Sequence, residues 1–214
     1  MEGWWLPPLF GIVGAVLGFA ADRFATRWPE HDEEHPAGRP VGWRTVVCVA
    51  VGAVAFGALP LRFAFDVLAL VVFGAWFATL VVGLATDLDQ RLLPDVLTLP
   101  VIPLALLYLG ENPLVRMAIV PAILAAILIP AVLYLPSIPF GAGAFGMGDV
   151  KFLAGMGLMV GGDRALGGTV VGLLIAGVVL VVLLATRRIG RRSYVPFGPF
   201  LILGALWAVI VRGI

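Results

Sequence analysis

Residues 67–86, VLALVVFGAWFATLVVGLAT, run for twenty positions without a charge and end directly on Asp87. At about 1.5 Å of rise per residue, such a run crosses a hydrocarbon layer ~30 Å thick as one helix. Residues 167–186 form a second clear run. Runs at 4–21, 45–61, 117–135 and 195–211 are also long enough when tilt is allowed and Trp4, Trp5, Trp43 and Trp207 act as interface anchors. Composition agrees: 61% hydrophobic and 13% charged residues in a 214-residue chain leave too little polar surface to coat a soluble globule. The chain therefore reads as an integral membrane protein.

Two further stretches are irregular. Residues 96–109 are short and contain Pro100 and Pro103, and residues 140–162 are Gly-rich and enclose Asp149 and Lys151. Proline and glycine there predict kinked or partly unwound helices, which survive in a bilayer only where protein or water satisfies the freed backbone groups. The expected fold is all-α, a polytopic bundle of about eight transmembrane helices. Its divisions are an N-terminal two-helix region at 1–61, with a connecting loop at 22–44, and a six-helix core at 62–214. Placing the basic segment Arg187–Arg192 in the cytoplasm and alternating eight spans also puts Arg23, Arg27, Arg39, Arg44, Arg91 and Lys151 inside. Only Arg62, Arg116, Arg164 and Arg212 then fall outside, a ten-to-four bias that supports this count of spans. Asp87 and Asp149 both come to the cytoplasmic lip. The N-terminus has no basic region followed by a small-residue cleavage site, so the first span is expected to be retained.

A net charge of +1 gives no reason to invoke nucleic acid. Cys48 is the only cysteine, which excludes an intrachain disulfide and a cysteine-based metal site, and it reads as a small packing residue of the second helix. No repeat stands out. The loop at 22–44 is Pro-rich and mixed in charge. His31, Asp32, Glu33, Glu34 and His35 resemble a metal cluster, but Pro29 and Pro36 bracket the run and oppose the helix that would align them, so a solvated linker is expected and no metal. Lys151, the only lysine, is read as snorkelling to the interface, with an acidic headgroup or a substrate carboxylate as the alternative partner. Arg187–Arg192 reads as a topology determinant and lipid contact.

The carboxylates carry the chemistry. Asp87, Asp89 and Asp95 lie in one short segment. Asp95, after Pro94 and before an apolar run, reads as a helix N-cap, and Asp89 as solvated. Asp87 differs because twenty uncharged residues lead into it, so its side chain can point back into a bundle. Gly146 and Gly148 strip side chains from around Asp149 and allow a backbone to approach closely. Ionisable groups at the edge of hydrocarbon are costly and by default functional. Two carboxylates that approach closely share a proton and titrate in coupled steps. One can then take a proton from water while the other donates to a carbonyl oxygen or leaving amine. This is aspartyl protease chemistry, and it needs no metal and no cofactor.

The segment Asp87-Leu88-Asp89-Gln90-Arg91-Leu92-Leu93-Pro94-Asp95-Val96-Leu97-Thr98-Leu99-Pro100 closely resembles the first motif of the type IV prepilin peptidases. Gly146-Met147-Gly148-Asp149-Val150-Lys151 resembles their Gly-x-Gly-Asp motif, and Val195-Pro196-Phe197-Gly198-Pro199-Phe200 resembles the Pro-Phe-Gly-Pro turn that opens their last helix. The resemblance implies catalytic Asp87 and Asp149, with Gly146, Gly148, Asp89, Asp95 and Lys151 as supporting, substrate-binding positions. It implies a membrane aspartyl endopeptidase of the bacterial plasma membrane that removes the basic leader of prepilins or pseudopilins at the cytoplasmic face. The partners it implies are that substrate and the lipid bilayer.

One departure concerns the loop at 22–44. Many bacterial members carry a larger insertion there, with two Cys-x-x-Cys pairs that bind zinc, and also N-methylate the new terminus. This loop has no cysteine, so the expectation is a short form that acts as a peptidase only. A presenilin-like protease would carry Tyr-Asp, where this chain has Thr86-Asp87, and Pro-Ala-Leu, where it has Pro-Phe-Gly-Pro. A magnesium-dependent lipid-phosphate or prenyl transferase expects several clustered carboxylates per site, and a proton-coupled transporter expects them near the midplane.

Overall fold

The computed structural model describes residues 3–31, 37–64, 66–140, 145–188, 190 and 195–211. All its regular elements among these residues are helical. The described residues form nine α-helices: α1 Leu6–Ala25, α2 Trp43–Phe63, α3 Val67–Gln90, α4 Asp95–Thr98, α5 Val101–Tyr108, α6 Ile119–Tyr134, α7 Met147–Val160, α8 Gly162–Ala185 and α9 Gly198–Ile210. A 3-10 turn, Leu135–Phe140, continues α6. Among the described residues five helical stretches are long and apolar enough to cross a membrane: Leu6–Ala25, Trp43–Phe63, Val67–Gln90, Ile119–Pro139 and Gly162–Ala185. The chain is an all-α, multi-pass membrane protein. The expected count of eight spans is not met by length. The 14 residues of α7 and the 13 of α9 rise only about 20 Å, short of a ~30 Å core. The expected interruption at Pro100 separates α4 from α5.

The chain divides into two compact units, residues 1–101 and 102–212, apart from the last two residues. Within the first unit α3 packs on both α2 and α1.

In the first unit α1 and α2 meet through glycine. A Cβ on Gly14 would lie inside the Gly52 carbonyl, and one on Gly18 would collide with the Cys48 carbonyl. The fully buried Cys48 thus packs as expected. Small residues at this four-residue spacing let two backbones approach closely, which is what drives helix association in lipid. The seam between α2 and α3 is instead aromatic: Phe63 stacks on Phe73 at 4.6 Å between centroids, and Phe56 meets Phe77 edge-on at 6.5 Å. Asp66 caps α3 by accepting from the Ala69 N–H at 2.8 Å.

In the second unit the small-residue rule returns twice. Gly157 of α7 lies against the Ala126 backbone of α6, and Gly168 of α8 against the Gly204 carbonyl of α9. Asn112, fully buried, donates to the Met159 carbonyl at 2.9 Å and accepts from the Leu114 N–H at 2.9 Å. It thereby satisfies one of the carbonyls that the end of α7 leaves without an intrahelical partner.

Candidate active site

Asp87 lies in the last turn of α3. The helix stops because Arg91 adopts the left-handed conformation, φ 57°, and its N–H closes on the Asp87 carbonyl at 2.9 Å. Asp87 is 5% exposed, in keeping with a side chain turned away from water. Asp95 is not the N-cap predicted from the sequence. Pro94 occupies that place, and Asp95 is the first residue inside α4, where it is exposed.

Asp89 departs furthest from expectation. It is 4% exposed rather than solvated. Its Oδ1 accepts from Arg39 Nε at 2.7 Å and from Arg44 Nη1 at 3.0 Å, while Oδ2 lies 3.2 Å from His31 Nε2. A second buried carboxylate, Asp22 at the end of α1, shares Arg39 with Asp89. It accepts from Arg39 Nη2 at 2.6 Å, from the Thr45 hydroxyl at 2.7 Å and from Arg23. Burial alone would lower the Arg39 pKa, but the hydrogen bonds and charges of Asp22 and Asp89 hold it above its ordinary value. Gln90 adds a bond from its Nε2 to the Pro29 carbonyl at 3.2 Å.

The described part of the 22–44 loop is largely exposed, as a linker would be, but it is fastened to three helix ends through Asp22, Arg39 and Arg44. The reason is charge: Asp22 and Asp89 sit where water is scarce, and arginines from the loop and α2 supply what solvent cannot. Asp32, Glu33, Glu34 and His35 lie outside the described residues. Among the described residues no three of His, Cys, Asp and Glu gather into a metal-binding group.

Asp149 belongs to the other unit, where it is the third residue of α7 and half-buried. Gly146 is the N-cap of that helix, and its backbone hydrogen-bonds the Asp149 carboxylate. This is the reach-back half of a capping box, with the carboxylate satisfying a backbone N–H that the helix start leaves over. A Cβ on Gly146 would stand 3.1 Å from Asp149 Oδ2, so the bare glycine makes room for the carboxylate. Lys151 follows on α7 and is half-buried.

The structure also brings the second and third motifs together. Phe145, just before Gly146, meets Phe197 of the Pro-Phe-Gly-Pro turn edge-on at 5.9 Å. Gly198 and Pro199 of that turn are buried at the start of α9. Sequence reasoning missed Asp22 and Arg39. An aspartate closing an apolar span was the available signal for Asp22, and it is the same signal that marks Asp87.

Fold and site thus define a multi-pass helical membrane protein with the buried carboxylates Asp87 and Asp89 ending α3 and Asp149 opening α7. Residues 72–186, which include all three, match the type IV leader peptidase family, and the chain belongs to that family. The prepilin leader peptidase/N-methyltransferase of Burkholderia pseudomallei, from either of two strains, is 37% identical over 171 residues, covering 77% of this chain and 54% of the relative. The protein of the same description from Pseudomonas aeruginosa is 32% identical over 130 residues, 59% of this chain and 44% of its own. The chain spans about half the length of these curated relatives. No solved structure matches it.

Proposed function

We propose that the chain is a membrane aspartyl endopeptidase that removes the leader peptide of type IV prepilins or pilin-like proteins at the cytoplasmic face of the bacterial plasma membrane. The observation that carries this reading is the family match over 72–186, which spans both Asp87 and Asp149. The names of the relatives, which specify a prepilin leader peptidase, supply the substrate class.

In this mechanism Asp87 and Asp149 flank the scissile peptide and share one proton. The ionised carboxylate draws a proton from the attacking water while the protonated one donates to the carbonyl oxygen; as the tetrahedral intermediate collapses, the first passes its proton to the leaving amine and the second takes one back from the gem-diol hydroxyl. The substrate's apolar helix stays in the bilayer and presents its leader junction to the two aspartates. Gly146 and Gly148 leave space for an extended substrate backbone, with Asp95 and Lys151 as secondary contacts. The reading covers the peptidase alone; transfer of a methyl group from S-adenosylmethionine to mature pilin by the purified protein would show it too narrow.

Cleavage of a co-expressed prepilin, read as a gel shift, tests the proposal in wild type, Asp87→Ala and Asp149→Ala with membrane expression checked for each. Processing by wild type and its loss in both variants is the expected result. Processing by either variant would refute the dyad. Inhibition by chelators would favour the metal-dependent transferase chemistry instead.

A further inference from the structure

Asp87 and Asp89 share the last turn of α3, a place where helices fray unless something holds them. Two positions along a helix the side chains diverge by about 200°. Asp89 therefore anchors one side of the turn while Asp87 faces another. The anchor has one central member. Arg39 reaches Asp89 through Nε at 2.7 Å and Asp22 through Nη2 at 2.6 Å, bridging the end of α3 to the end of α1. Both carboxylates are at most 4% exposed. Only a planar fork of donors can serve two carboxylates in fixed directions at once.

We propose that Arg39 is a positioning residue for catalysis: by clamping Asp89 to Asp22 it holds the final turn of α3 and thereby the direction in which Asp87 presents its carboxylate. The proposal rests on the reading of Asp87 as a catalytic aspartate. Buried ion networks seldom stabilise a fold more than apolar side chains of the same volume would, and one attested use of them is to fix register. Loss of one partner is costly because it strands a buried charge. Neutralising Asp22, Arg39 and Asp89 together removes most of that cost, since Arg23 and Arg44, the remaining arginines, are partly exposed to water, and it also removes the clamp. Stability and position can therefore be separated by experiment.

The full chain in lipid nanodiscs is compared as wild type, Arg39→Met, the triple variant Asp22→Asn/Arg39→Met/Asp89→Asn, and Asp87→Asn. Prepilin turnover is expressed per folded molecule, and amide exchange over residues 87–91 is followed without substrate. Arg39→Met is expected to lower kcat about tenfold or more while KM stays within about threefold, and to speed exchange at 87–91 about tenfold. The triple variant is expected to regain thermal stability and to keep the low kcat.

A triple variant with wild-type kcat shows that Arg39 serves folding alone and overturns the proposal, as does unchanged exchange at 87–91 in Arg39→Met. Wild-type turnover by Asp87→Asn fails the reading beneath the proposal. That failure is distinguishable, because the exchange comparison needs no catalysis.

Discussion

Gly146→Ala separates activity from stability at the Gly-x-Gly-Asp motif. Gly146 has φ −69° and ψ 138°, a conformation open to any residue, so alanine brings no backbone strain. Restricting the unfolded chain favours alanine by about 0.4–1 kcal/mol. Alanine is also the poorer N-cap, at a cost of roughly 0.5 kcal/mol. These effects nearly cancel, and the variant should unfold within about 0.5 kcal/mol of wild type. At the site they do not cancel. The new methyl carbon would stand 3.1 Å from Asp149 Oδ2, which obliges the carboxylate to retreat by a few tenths of an ångström. If a 1 Å misplacement costs about a hundredfold in rate, a shift of about 0.3 Å costs roughly three- to tenfold. Prepilin cleavage by purified protein, with thermal unfolding in the same detergent, checks both halves. Wild-type kcat in a variant of unchanged stability would refute the placement of Asp149 against Gly146.

Other outcomes follow from packing away from the carboxylates. Asn112→Ala strands the buried Met159 carbonyl and removes the partner of the part-buried Leu114 N–H and should lower stability by about 1–3 kcal/mol; a loss below about 0.5 kcal/mol in chemical unfolding would contradict it. Gly14→Ala drives a methyl group into the Gly52 carbonyl and should cost about 1–3 kcal/mol through a widened α1–α2 seam, with kcat per folded molecule unchanged. Gly204→Ala repeats the test against the Gly168 carbonyl of α8, with a similar cost of about 1–3 kcal/mol by thermal unfolding. Phe197→Ala removes the ring that meets Phe145; it should cost about 0.5–1.5 kcal/mol beyond the area lost and reduce prepilin processing, and full processing would show that the contact does not support the motif.

The long spans were legible because twenty uncharged residues in a row admit few folds, and α3 begins at Val67 where the run begins. The short helices were less so. Hydropathy alone does not say that α7 stops at Gly161, where φ is 82° and the chain turns into α8. Asp87 stood out because twenty uncharged residues precede it, and Asp149 because Gly146 and Gly148 lead into it. Asp89 was misjudged for a physical reason. A carboxylate among polar neighbours looks solvated until Arg39 and Arg44, 50 and 45 positions away, are brought against it. The spacings Gly14-x-x-x-Gly18 and Gly168-x-x-x-Gly172 were readable as helix-contact faces, but with 27 glycines in the chain only the packing picks out which ones touch.

The two motif aspartates are held by different physics, each within its own unit. The end of α3 is fixed by ion pairs whose strength depends on charge and on the exclusion of water, so charge-neutralising changes at Asp22, Arg39 or Asp89 should loosen it while changes of volume elsewhere leave it alone. The start of α7 is fixed by contact. Gly146 accommodates the carboxylate, Phe145 meets Phe197, and farther along the helix Gly157 lies on the Ala126 backbone. There the sensitive quantity is volume: one methylene too many shifts the helix, and a changed charge on its exposed face does not. Substitutions of the two kinds should then act additively on stability, because the contacts named for each lie within its own unit. They should combine in turnover if both aspartates serve one reaction, which gives a test of the dyad that touches neither carboxylate.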